Sequence, residues 1–182
     1  MTLTKNNIDE LLQLCQKGNQ AAQLEVYNRY YKAMYNTSLR IVKDSAEAED
    51  VMQESFLSAF TKLKDFKGDA TFGSWLKRIV VNNSINSDQK KQRLEEVPLE
   101  NELYKLEDED GIAECDTDSL EIKSVLNAMS TLKNNYRIAL TLNLIEGYDY
   151  EEMSTILNIS YANCRTTVSR AKDSLRKKLR TS

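Results

Sequence analysis

The sequence has no histidine, one proline, five glycines and three cysteines in 182 residues. The missing histidine removes imidazole from every scheme of proton transfer or metal ligation. So few glycines and prolines argue against a β-sandwich or barrel, which needs a turn every few residues. Cys15, Cys115 and Cys164 stand far apart, so there is no Cys-x-x-Cys site and no disulfide framework. A reducing intracellular compartment fits best. No apolar run approaches the ~20 residues that span a bilayer. The first twenty residues lack the basic start and apolar core of a signal peptide. These absences lead to an expected all-α, cytoplasmic protein with no membrane insertion, no cofactor and no metal.

Charge is present and segregated. The formal net charge of −3 hides three blocks. Residues 1–93 carry 14 basic and 11 acidic side chains, a net +3. Residues 94–121 carry 12 acidic side chains against Lys105 alone, a net −11. Residues 122–182 carry 10 basic and 5 acidic, a net +5. Two basic blocks therefore flank an acidic one, and each basic block can neutralise phosphates despite the acidic total. The acidic segment also holds Pro98 and Gly111. Its charge density suits a linker between two small domains, with a solvated helix face as the alternative. Such a tether can compete with DNA for the basic surfaces it joins.

Helical periodicity runs through both basic blocks. Residues 7–17 read as a short helix capped by Asn7 and ended by Gly18. Over 19–43, Leu24, Tyr27, Tyr31, Met34, Ser38 and Ile41 recur at spacings of three and four, the stripe of a buried face. Asp44 and Glu47 form a capping-box pattern that opens a helix to about Lys64. Its expected inner face is Met52, Phe56, Phe60 and Leu63, with Glu47, Asp50 and Glu54 together on another. Lys64–Ala70 is a charged loop around Gly68, followed by a helix from about Thr71 toward Arg93. Beyond the acidic segment, helices are expected over 120–131 and 133–145.

The last sixty residues hold the most informative pattern. Asp149-Tyr150-Glu151-Glu152 is a second capping box. Asn158-Ile159-Ser160 makes a tight turn, and Ser160 can cap the final helix. That helix buries Cys164, Val168, Ala171, Leu175 and Leu179 and presents Asn163, Arg165, Thr166, Ser169, Arg170 and Lys172 outward. A short helix, a three-residue turn and an amphipathic second helix are the pattern of a helix-turn-helix. The start of such a second helix enters the major groove. Arg forks onto guanine, Asn onto adenine, and Thr touches the thymine methyl. Arg176, Lys177, Lys178 and Arg180 lie further along and suit phosphates. A solvated basic face is the alternative; the turn and both caps favour duplex DNA.

Two further constellations stand apart. Lys64, Lys67, Lys77 and Arg78 interleave with Phe66, Phe72 and Trp75, a mixture suited to unstacked bases. Phe72 and Trp75 also read as plain core, which leaves the loop Lys64–Ala70 as the better site for a flipped base. The stripe Glu47, Asp50 and Glu54, with Gln53 beside it, repels DNA. A basic partner protein and a plain solvated face both fit it, while one helix supplies too few converging ligands for a metal.

In this order the pieces resemble the extracytoplasmic-function sigma factors, the compact sigma subunits of bacterial RNA polymerase. Ala48-Glu49-Asp50-Val51-Met52-Gln53-Glu54-Ser55-Phe56-Leu57 resembles the family's polymerase-docking helix. The stretch Phe66-Lys67-Gly68-Asp69-Ala70-Thr71-Phe72-Gly73-Ser74-Trp75-Leu76-Lys77-Arg78-Ile79 resembles the segment that melts and reads the minus-ten element. Glu146–Met153 through Ser169-Arg170-Ala171-Lys172 resembles the helix-turn-helix that reads the minus-thirty-five element.

The resemblance implies that Asp50, Gln53, Glu54 and Leu57 dock on the clamp helices of the largest polymerase subunit. It implies minus-ten contacts from Lys64, Phe66, Lys67, Asp69, Lys77, Arg78, Asn82 and Asn86, the loop holding an extruded base. It implies minus-thirty-five contacts from Tyr161, Asn163, Arg165, Thr166, Ser169, Arg170 and Lys172. Core RNA polymerase, promoter DNA and an anti-sigma factor are the implied partners, and no covalent chemistry falls to this chain. The sequence departs from the family at Lys133, where proline is usual, and at Asn158, where glycine is common. Val81 and Asn86 replace a frequent Arg and Asp. A regulator that only binds duplex DNA would explain residues 122–182 but not the Asp50 face or the Phe66–Ile79 segment.

Overall fold

A computed structural model describes residues 5–95 and 120–181. They form eight α-helices: α1 (Ile8–Gln16), α2 (Gln20–Val42), α3 (Ser45–Thr61), α4 (Phe72–Glu95), α5 (Leu120–Ser130), α6 (Asn134–Leu140), α7 (Tyr150–Leu157) and α8 (Tyr161–Thr181). A 3-10 turn at Leu63–Asp65 follows α3, and a π-helical turn at Thr141–Ile145 follows α6. No strand occurs among the described residues. The helices fall into two compact units, α1–α4 and α5–α8. The acidic segment, beyond its ends in α4 and α5, lies outside the described residues, as does Cys115.

In the first unit α2, α3 and α4 pack on one another and α1 packs against α2. The helix starts follow local chemistry: Asn7, Asn19 and Asp44 each accept a backbone N–H of the first turn, at 3.2, 3.0 and 2.8 Å. Thr71 Oγ1 does the same for Ser74 N (3.2 Å) at the start of α4. Leu11, Val26, Met52, Phe56, Leu63, Phe72, Leu76 and Val80 are buried in the shared core. Where α2 meets α4 the approach is close. A Cβ on Gly73 would stand 3.0 Å from the Tyr30 ring, so a small residue is needed there.

Three expectations shift. The buried stripe of α2 begins at Ala22 and Val26; Leu24 is 60% exposed and Tyr31 43% exposed. α1 packs on α2, and Ala22 and Val26 share a core cluster with Leu11, Leu12 and Cys15 of α1. α3 ends at Thr61, because the chain tightens into the 3-10 turn that buries Leu63. Glu47 does not stay with Asp50 and Glu54 on an outer stripe. Its carboxylate accepts from Ser87 Oγ (2.6 Å) and stands 3.6 Å from Lys91 Nζ, tying α3 to α4.

In the second unit α8 packs on α5, α6 and α7. Met129, Leu132, Leu140, Met153, Val168, Ala171 and Leu175 are buried. The capping box at Asp149 is complete: its carboxylate accepts from Glu152 N (2.8 Å), and Asp149 N donates to Glu152 Oε2 (3.1 Å). Asn158 closes α7 in the left-handed region, φ 52° and ψ 46°, a conformation its short polar side chain tolerates. Ser160 Oγ accepts from Asn163 N (3.2 Å) to start α8. The expected helix over 133–145 breaks its α pattern at Thr141, where the π turn inserts. Leu179, expected inside, is 36% exposed near the end of α8.

Candidate nucleic-acid and partner interfaces

The outer face of α3 is set by its inner one. Ala48, Val51, Met52, Ser55, Phe56 and Ala59 are buried, which leaves Asp50, Gln53, Glu54 and Leu57 facing outward and exposed. Leu57 is 69% exposed. Gln53 Nε2 donates to Glu49 Oε1 (3.2 Å), holding the amide along the helix. The face is an exposed leucine bordered by carboxylates. Sequence periodicity placed Leu24 and Tyr31 in the core and so missed an aromatic edge on α2. Tyr27 lies 4.8 Å from Phe56 and stacks on the exposed Tyr31 at 5.7 Å.

The loop between α3 and α4 forms a small cavity of about 160 Å³ lined by Asp65–Ala70 and Trp75. That is far below a drug-sized site and suits a single ring. Phe66 is half-buried: its ring lies 5.3 Å from Trp75 and 5.8 Å from Phe72. It is a wall of the cavity rather than a free aromatic. Phe72 is core, 3% exposed, and Trp75 is half-buried between core and cavity. Gly68 turns the loop at φ +82° with open space around its α-carbon. Lys64, Lys67 and Asp69 are exposed on the rim, Lys77 and Arg78 are half-buried along α4, and Asn82 and Asn86 are exposed further on. Asn83, one residue from Asn82, turns inward and donates to Ser55 Oγ (2.9 Å). Val81 is fully buried.

The outward face of α8 brings the third set together. Tyr161, Ala162, Arg165, Thr166, Ser169 and Arg170 line an open groove of about 550 Å³. Asn163 is exposed beside them, and Lys172 is half-buried. Tyr161 is fixed against α7 by an edge-on contact with Tyr150 at 6.1 Å. Thr166 Oγ1 donates to Ala162 O (2.9 Å), which leaves its methyl and the acceptor side of its hydroxyl for contact. Asp173, the one acid on this helix, pairs with Arg176 at 2.9 Å in solvent, where such a pair adds little. The buried stripe is Cys164, Val168, Ala171 and Leu175. Burial pushes the Cys164 thiol above its usual value, which keeps it protonated and marks it as packing rather than a reactive thiolate.

Among the described residues no helix is long and apolar enough to cross a membrane. Two family profiles match the chain: Sigma-70 region 2 over residues 26–94, and Sigma-70, region 4 over residues 122–175. They cover the α2–α4 bundle and the helix-turn-helix unit. The chain is 32% identical over 153 residues to the ECF RNA polymerase sigma factor SigM of Bacillus subtilis, covering 84% of this chain and 91% of that one. It is 28% identical over 189 residues to the RNA polymerase sigma-H factor of Pseudomonas aeruginosa, covering 97% and 96%. Among solved structures it resembles the sigma factor RpoE in complex with the anti-sigma factor NepR from Bartonella quintana, with a TM-score of 0.60 and 21% identity over 86% of this chain and 95% of that one. A similar likeness holds for CnrH in complex with the cytosolic domain of CnrY, with a TM-score of 0.57 and 22% identity over 97% and 99%.

Proposed function

The chain belongs to the extracytoplasmic-function sigma factors of bacterial RNA polymerase, and from that membership we propose how its surfaces divide the work. As a sigma factor it binds core polymerase, recognises promoter DNA and promotes strand opening. We assign core docking to Asp50, Gln53, Glu54 and Leu57. The observation that carries this assignment is their common exposure on one face of α3, whose opposite face is fixed in the core. Carboxylates and an exposed leucine on a rigid helix suit a partner helix with basic and apolar side chains.

The minus-ten work falls to the cavity loop and α4. Lys64, Lys67, Lys77 and Arg78 attract backbone phosphates, and Asn82 and Asn86 offer amides to base edges. Phe66, Asp69 and Trp75 border the cavity in which an extruded base would sit. Unstacking a base costs a few kcal/mol, and an aromatic contact returns about 1–3 kcal/mol per base. Opening therefore draws on binding free energy, and this chain contributes no bond-making step; that chemistry belongs to the polymerase. The minus-thirty-five duplex is assigned to α8, with Tyr161, Asn163, Arg165, Thr166, Ser169, Arg170 and Lys172 at the groove.

Residues 1–93 and 122–182 then act as two domains on the acidic tether 94–121, in the cytoplasm where the polymerase works. An anti-sigma factor, the kind of partner named for RpoE, would silence the chain by covering these faces. The docking assignment is tested by titrating core polymerase with labelled full-length chain and its Asp50→Ala and Glu54→Ala variants. Weaker binding at unchanged helix content is expected. Unchanged affinity in both variants would overturn the assignment.

A further inference from the structure

The helix that faces the polymerase and the helix that faces the minus-ten strand are joined by a line of polar contacts. Asn83 Nδ2 donates to Ser55 Oγ at 2.9 Å. One turn along α4, Ser87 Oγ donates to Glu47 Oε1 at 2.6 Å. A turn further, Lys91 Nζ stands 3.6 Å from Glu47 Oε2. Ser55 is fully buried, while Asn83, Ser87 and Glu47 are half-buried. On the adjoining flank of α4, Ser84 Oγ donates to the buried Ser38 Oγ of α2 at 3.0 Å. Positions 83, 87 and 91 repeat every four residues, the spacing of one helix face.

The placement of the neighbouring residues gives the seam its meaning. Asn82 and Asn86 lie about 100° around the helix from Asn83 and Ser87 and are exposed. On α3, Asp50 and Glu54 follow Glu47 at spacings of three and seven and face outward. Asn82 and Asn86 on α4 and Glu54 on α3 thus each stand next to a seam residue in the chain. Apolar helix faces repack with small shifts at modest cost. A hydrogen bond with a narrow distance and angle range does not tolerate the same slide. Its net contribution to stability is small, since both partners give up water to form it. Polar rungs in an otherwise apolar interface therefore act on register more than on stability.

We infer that Asn83 and Ser87 are positioning residues for strand opening: they lock α4 in register with α3, so that docking on polymerase aims the loop at 64–70, Asn82 and Asn86 at the non-template strand. This rests on the assignment of the two faces made above. Neither residue touches DNA or polymerase in this scheme. Both act through the angle and axial position of α4.

The experiment uses the full chain with core polymerase, on a promoter selected by run-off transcription with the unaltered protein. Unpaired thymines in the minus-ten element are read by permanganate reactivity. The variant Asn83→Ala/Ser87→Ala removes both donors and should slow opening about five- to tenfold, the effect of about 1 kcal/mol on the opening barrier. Its core affinity should stay close to that of the unaltered chain, and its melting temperature should fall only by the several degrees that two weak hydrogen bonds account for. The variant Asn83→Ala/Ser87→Thr returns the hydroxyl donor at position 87 and should recover part of the lost opening rate. If the double alanine variant proves unstable, Ser87→Ala alone carries the test with Ser87→Thr as its rescue. Opening at the unaltered rate in the alanine variants overturns the inference. So does a loss of opening that merely follows a loss of core affinity or of folded protein. Failure of the unaltered chain to bind core polymerase would overturn the docking assignment and this coupling with it.

Discussion

Replacing Asp149 by alanine removes the one complete capping box among the described helices. The 2.8 Å bond from Glu152 N goes with it, while the 3.1 Å bond to Glu152 Oε2 is donated by the backbone N–H of position 149 and keeps both its partners. The helix they start is only eight residues long, too short to hold itself without tertiary support. Loss of an N-cap acceptor costs about 1 kcal/mol. For a unit of this size, 1 kcal/mol moves the melting temperature by about 4–8 °C, so a fall of that size is expected. Asp149→Asn keeps an acceptor at the cap and should lose much less. Thermal unfolding of the full chain gives the shift, and amide hydrogen exchange over 150–157 shows whether it originates in α7. A melting temperature within a degree of the unaltered chain would refute the reasoning. So would equal losses in the Asp149→Ala and Asp149→Asn variants.

Three further outcomes follow from the same structure. Arg165→Ala should cost about 1–3 kcal/mol of minus-thirty-five binding and relax base preference at one position, whereas Lys177→Ala should weaken all sequences alike and lower the salt slope by about one; binding selections at two salt concentrations separate them. Burial raises the Cys15 and Cys164 thiols above their usual 9.0. Because the folded values are the higher ones, this stabilisation is full below pH 9 and is lost as pH rises through the folded values, which urea unfolding between pH 8 and 10.5 will register as falling stability. Gly68→Ala meets no atom within 4 Å but places a side chain at φ +82°, a strain of about 1–2 kcal/mol; permanganate reactivity should fall while core affinity is kept, and unchanged opening would remove the loop from the reading.

Local chemistry made much of this fold legible in advance. Asn7, Asp149, Asn158 and Ser160 act within three or four residues of themselves, so their caps and turns could be read from adjacent letters. The outward faces of α3 and α8 were legible for the same reason, since a helix period fixes which residues share a side. What escaped depends on neighbours distant in sequence. The stripe 24, 27, 31, 34 and the stripe 22, 26, 34, 38 both fit a helical period, and only α1 decides between them. Glu47 satisfies the capping-box pattern, yet Ser87, forty residues on, takes its carboxylate. The seam of Ser55, Asn83 and Ser87 had no signature of its own, because isolated Ser and Asn in a helix carry no period. Phe66 was legible as an aromatic near cations, but its place as a cavity wall needed the positions of Phe72 and Trp75.

The central claim is that this chain directs bacterial polymerase to promoters and opens them. Run-off transcription from a genomic fragment library, with purified bacterial core polymerase in the presence and absence of the chain, tests it most directly. The account predicts discrete new transcripts that need the chain, start downstream of shared minus-thirty-five and minus-ten elements, and disappear with Asp50→Ala. A chain that shifts duplex DNA but neither binds core polymerase nor yields any new transcript would contradict it.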